Sequence, residues 1–168
     1  YDAEADKFSL TPEQASVFAR ESEPTCIQGL IQGVVGQFVK EDVAIDVFKT
    51  GRGRPWGEHH ECCFCGTERF FRPAYAGHLL DEWIPALDGV EDKLKLGAKV
   101  ADIGCGLGTS SILMAEQFPN STIHAFDFHG PSIEEAKKRA NEKGLSNLEF
   151  FVSDAGEIPK NDYDLACI

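Results

Sequence analysis

Basic residues are scarce in this chain. Sixteen Lys and Arg stand against 28 Asp and Glu, a formal net charge of −12 over 168 residues. Nucleic acids and anionic membranes recruit proteins through a basic face, so this balance argues against both as the main partner. Long apolar runs are missing as well: none approaches the roughly 20 residues that span a bilayer. No signal-peptide pattern opens the sequence. The six cysteines lack the spacing of a disulfide framework. Cys62, Cys63 and Cys65 crowd together, Cys105 lies in a glycine turn and Cys167 in an expected strand. That usage predicts a reducing, cytoplasmic setting. Internal repeats and low-complexity tracts are absent from the sequence. It begins at Tyr1 and stops at Ile168 within an expected strand, which predicts a piece of a longer protein.

What is present divides into three stretches. Residues 1–57 read as a helical region, 58–95 as an aromatic-rich helical connector, and 96–168 as alternating strands and helices. Residues 7–10 alternate like one strand of a small hairpin. Thr11-Pro12-Glu13-Gln14 is a helix start, with Thr11 as cap, Pro12 in the first turn and Gln14 closing a capping box. After Pro24 the apolar positions Ile27, Leu30, Ile31, Val34, Val35, Phe38 and Val39 recur at helical spacing, predicting a helix buried along that stripe. Gly29, Gly33 and Gly36 interrupt it, at roughly 0.5–1 kcal/mol each relative to alanine. Three such glycines predict a second helix at close approach, within the chain or in a dimer. Residues 41–50 form a third helix stopped by Gly51, and residues 51–55 a flexible joint. A further helix is expected to start at Pro73.

From Leu96 the period changes. Strands over residues 100–103, 122–126, 148–152 and 164–168 alternate with helices over 109–118 and 132–143, the latter capped by Ser132. This predicts an α/β fold: a Rossmann-like parallel sheet with right-handed crossovers. Ligands of such sheets bind beyond the carboxyl ends of the strands. There the sequence places Gly104-Cys-Gly106-Leu-Gly108, Asp127, and Ser153-Asp154-Ala155. A carboxylate ending the second strand accepts from both hydroxyls of a ribose, so Asp127 points to a nucleoside ligand. A dinucleotide loop reads G-x-G-x-x-G, whereas here Thr109 takes the third glycine position. Asp102, two residues before the first glycine, suits a cationic ligand better than a pyrophosphate.

These segments resemble the class I S-adenosylmethionine-dependent methyltransferases. Val100-Ala-Asp-Ile-Gly-Cys-Gly-Leu-Gly108 looks like their first motif. His124-Ala-Phe-Asp127-Phe128 and Phe151-Val-Ser-Asp154-Ala155 resemble the two that follow, and Tyr163-Asp-Leu-Ala-Cys-Ile168 the fourth strand. Trp56-Gly-Glu-His-His and Gly66-Thr-Glu-Arg-Phe-Phe-Arg-Pro73 resemble the joining segment of a bacterial subgroup with an N-terminal winged-helix-like region, which would make residues 1–10 the tail of the wing. The resemblance implies a strand order of 3-2-1-4 and S-adenosylmethionine as cofactor. Gly104, Cys105, Gly106 and Gly108 would hold its methionine part through the loop backbone. Asp102 would position its amino group and Asp127 its ribose. Phe128 would lie on the adenine, with Asp154 at the adenine amino group and the Ala155 backbone beside it. It also implies a small-molecule acceptor and a homodimer through the N-terminal helices.

The catalytic base is not legible. His59, His60, His78 and His129 are the candidates present, His129 closest in sequence to the rim, and surface or packing roles account for each better than a base does. Phe70, Phe71 and Tyr75 are candidates to roof an acceptor pocket, or simply core. Cys62-x-x-Cys65 has the first half of a zinc spacing without a second pair, so no metal is expected. Two other readings stay open: an NAD-dependent oxidoreductase, and a non-catalytic cofactor-binding or dimerisation fragment.

Overall fold

The computed structural model describes residues 1–159 and 162–168. The chain divides into two compact units, Tyr1–Ala74 and Tyr75–Ile168.

The first unit is helical. Helix α1, Pro12–Phe18, begins with the expected capping box: Gln14 N–H donates to Thr11 Oγ1, and Thr11 N–H to Gln14 Oε1. Helix α2 is Gln28–Val39, α3 Glu41–Thr50 and α4 Glu61–Ala74. Gly51 stops α3 in the left-handed region, at φ 69°. The glycines of α2 behave as the spacing implies. A methyl group on Gly29 would collide with the α4 backbone at Arg69 and Phe70, and one on Gly66 of α4 with the backbone of Gly33.

Three expectations need correction. First, α2 packs by its glycines and not by its apolar stripe. Gly29 and Gly36 are buried, whereas Leu30, Ile31, Val34, Val35, Phe38 and Val39 are 46–73% exposed. Bare backbone lets α2 and α4 meet closely on the glycine side, which turns the larger side chains outward. Second, residues 7–10 form no strand. Lys7 makes a single antiparallel bridge to Asp2, and two facing residues do not sustain a ladder. Third, Pro73 lies inside a helix that began at Glu61. Lacking an N–H, it disturbs the hydrogen-bond ladder there. The next segment, Tyr75–Trp83, adopts the wider π-helical turn.

The second unit carries α5 (Val90–Leu96), β1 (Lys99–Ile103), α6 (Thr109–Gln117), β2 (Thr122–Asp127), α7 (Gly130–Glu142), β3 (Leu148–Val152) and β4 (Leu165–Cys167). The four strands are parallel in the order β3-β2-β1-β4. Register sets Val100 beside Ile123 and Ile123 beside Leu148. Ile112 and Ala115 of α6 and Ile133 and Ala136 of α7 pack on that face in one buried cluster. Asn147 ties its base, its amide donating to the carbonyls of Ala115, Phe118 and Ser121. One cap differs from expectation. Helix α7 starts at Gly130 with His129 as cap residue, because Pro131 suits the first turn and extends the helix backward. Ser132 is buried instead, its hydroxyl 2.8 Å from His129 Nδ1.

Candidate functional site

The carboxyl ends of β1, β2 and β3 form one rim. Beyond β1 the chain turns through Gly104, Gly106 and Gly108 at φ 77°, 54° and 78°, a region that disfavours side chains. Gly108 also needs its small size, since a Cβ there would stand 2.9 Å from the Phe150 ring. At Gly104 and Gly106 a Cβ would meet nothing within 4 Å. The loop therefore presents bare main chain to open space, a cradle that side chains would fill. Gly104 and Cys105 N–H both donate to the Phe126 carbonyl at 2.8 and 3.0 Å, which fastens the loop to β2.

Asp127 joins the parts. Its Oδ2 accepts from Gly106 N–H at 2.9 Å and its Oδ1 from His129 N–H at 2.8 Å. Its own carbonyl accepts from Ser153 N–H at 3.0 Å, which draws in the end of β3. Asp154 is exposed, and its Oδ1 accepts from Gly156 N–H at 2.8 Å, capping a single 3-10 turn that begins at the exposed Ala155. Phe128 stands 56% exposed beside Asp127.

Asp102 lies under this rim, 5% exposed. Its Oδ2 accepts from the Ser110 and Ser111 hydroxyls at 2.7 and 2.5 Å. Burial pushes its carboxyl above the usual range, the two hydroxyls pull it back, and Asp127 adds to the rise. Cys105 is buried in the core cluster, and burial followed by the charges of Asp102 and Asp127 pushes its thiol far up. It is a packing residue, not a nucleophile. Burial and then Asp102 push the Cys167 thiol up to about 11.

The remaining candidates separate. His59 and His60, Phe70 and Phe71 belong to the first unit, and Tyr75, His78 and His129 to the second. Tyr75 packs on the core cluster, its phenol pushed up by burial and then by Asp102 and Cys167. His129 adjoins Asp127 through its main chain. Among the described residues, no group of three or more His, Cys, Asp or Glu stands close enough to hold a metal. Sequence reasoning passed over Ser110 and Ser111, because nothing in two serines at a helix start signals a carboxylate partner.

Residues 94–168 match a family profile described as a methyltransferase domain. The chain is 39% identical over 72 residues to the aklanonic acid methyltransferase DauC of Streptomyces sp. strain C5, covering 41% of this chain and 33% of that protein. It is 36% identical over 63 residues to a tRNA (guanine-N(7)-)-methyltransferase of Neisseria gonorrhoeae, covering 38% of this chain and 26% of the relative. The solved structure of PKMT2 from Rickettsia typhi in complex with AdoHcy is 30% identical with a TM-score of 0.40, over 44% of this chain and 15% of that one. The chain spans a third or less of the length of these curated relatives. The stretch that matches the methyltransferase-domain profile, residues 94–168, is the one that carries the 3-2-1-4 sheet, the glycine turn and the acidic rim.

Proposed function

We propose that this chain binds S-adenosylmethionine on the β1–β3 rim and supplies the cofactor-holding half of a methyltransferase acting on a small molecule. The observation that carries this reading is the bridge from Asp127 to Gly106 N–H. It fixes the ribose-binding carboxylate against the glycine cradle before any ligand arrives, which lowers the ordering penalty of binding. Each carboxylate oxygen has two lone pairs, so Asp127 can keep both main-chain bonds and still accept from the two ribose hydroxyls. The open backbone at Gly104 and Gly106, together with Cys105 and Gly108, takes the methionine part. Asp102 faces its amino group. Phe128 offers an exposed ring to the adenine, and Asp154 with the Ala155 backbone lies at the far end of the rim. When bound, the cofactor supplies a sulfonium methyl for in-line displacement, and the chain's contribution is alignment of that methyl.

The buried acid ahead of the loop disfavours the oxidoreductase reading, because an Asp102 carboxylate beneath a pyrophosphate is repulsive. DauC is named for aklanonic acid and the Neisseria relative for a tRNA guanine. A net charge of −12 favours the small acceptor for this chain. The six free thiols support a cytoplasmic setting. No described helix is long and apolar enough to cross a membrane.

A homodimer through the N-terminal helices is part of the same proposal. The exposed stripe of α2, with Ile45 and Phe48 of α3 at 47% and 90% exposure, offers exposed apolar side chains of the kind that mark protein interaction sites.

Calorimetric titration with S-adenosylhomocysteine, and separately with NAD, tests the cofactor. S-adenosylhomocysteine is expected to bind and NAD not to bind. Asp127→Ala is expected to weaken binding at least tenfold, since it removes the ribose acceptor and frees the loop. Full affinity in that variant would refute the assignment.

A further inference from the structure

We propose that Ser110 and Ser111 are positioning residues for Asp102, holding its carboxylate as an oriented anion where the positively charged end of the methyl donor binds. The inference rests on the cofactor reading above.

Asp102 is 95% withdrawn from solvent, yet it stands one residue before the end of the interior strand β1, next to the cradle. A carboxylate in such a place keeps its charge only if donors replace the lost water. Two hydroxyls of the first turn of α6 converge on one oxygen, Ser110 at 2.7 Å and Ser111 at 2.5 Å. Ser111 is fully buried, where a hydroxyl has no use except to make this bond. The other groups that sense this carboxylate offer no compensation. They are Asp127 at the end of β2, Cys105 in the loop, Tyr75 on the π-helix and Cys167 on β4. All four become anionic or neutral, never cationic. The serines therefore oppose burial and the neighbouring acid together. Their position follows from the glycine turn. Gly108 in the left-handed region ends the loop and starts α6, so the residues two and three places on fall back over β1.

The expected consequence is a displaced pH profile. Affinity for S-adenosylhomocysteine falls as pH drops and Asp102 takes up a proton. In Ser111→Ala and Ser110→Ala the fall begins about one pH unit higher, as expected for one lost charge-assisted bond, and within the displaced range binding is up to about tenfold weaker than in the parent. Ser110→Thr, which keeps the hydroxyl, retains the parent profile. Above that range the variants approach the parent affinity, whereas a merely damaged fold weakens binding equally at every pH. Carboxyl carbon NMR of Asp102 in the ligand-free chain is expected to show the same displacement of its titration. Should Ser111→Ala fail to fold, the exposed-side pair Ser110→Ala and Ser110→Thr decides alone. Parent binding with variant midpoints unchanged in both measurements overturns the inference and leaves the cofactor reading standing. No binding by the parent chain overturns both.

Discussion

Asp102 is held above the usual carboxylate range by burial. The folded chain therefore keeps a proton that the unfolded chain releases. The stability this group contributes is full below the unfolded value and is lost as pH rises through the raised one. Ionised, this carboxylate opposes folding, whereas in the proposed cofactor reading the same charge serves binding. Asp102→Asn is accordingly expected to raise the thermal midpoint by a few degrees at pH 7, with the gain shrinking toward pH 4, and to weaken S-adenosylhomocysteine binding. A lower midpoint in the variant at pH 7 would contradict this. The acid itself was legible from its place two residues before Gly104. Its partners were not, because the bonds of Ser110 and Ser111 to it exist only once the loop has folded back. Asp127 shows the same division. Its position at the end of β2 marks it from the sequence, whereas its grip on Gly106 crosses 21 residues and depends on parallel pairing of β1 and β2.

At the scale of elements, the α2–α4 pair discriminates between glycines that look alike in sequence. A Cβ at Gly33 would meet nothing, whereas one at Gly66 would collide with the Gly33 backbone. Gly33→Ala is expected to stabilise the chain by about 0.5–1 kcal/mol through helix propensity alone. Gly66→Ala is expected to destabilise it by more than that, because two helix backbones must separate. Urea unfolding of the two variants reads both signs. Strand β4 offers a second test. Asp164 lies just ahead of it, and its Oδ2 accepts from Lys99 N–H at 3.0 Å while Lys93 Nζ stands 3.5 Å from its Oδ1. The Lys99 amide, then Lys93, hold its carboxyl below the usual range. Its contribution is thus present above the ordinary Asp range and lost as pH falls through the lowered value. Asp164→Asn is expected to speed hydrogen exchange at residues 165–167 near neutral pH, and the difference from the parent shrinks as acid protonates Asp164.

For the whole molecule, the outward turn of the α2 stripe makes association the expected use of the first unit. Phe38, 73% exposed, is the largest side chain of that stripe. Phe38→Asp is expected to shift a dimer to monomer in light scattering with little loss of stability, since it removes no buried contact. A parent chain that is monomeric at high concentration would dispose of the dimer. The sequence by itself determined the local and periodic features. These include the Thr11 capping box, the Gly51 stop, the alternation of strands and helices that marks a parallel α/β sheet, and the three acids beyond the strand ends, whereas the 3-2-1-4 order was implied by the family resemblance alone. Each depends on residues close along the chain or on the spacing of elements. The tertiary structure alone decided which face of α2 is buried, how Pro73 is carried inside a helical segment, and which hydroxyls and amides complete Asp102 and Asp127. Those outcomes turn on backbone approach and on hydrogen bonds between distant segments, and side-chain periodicity encodes neither.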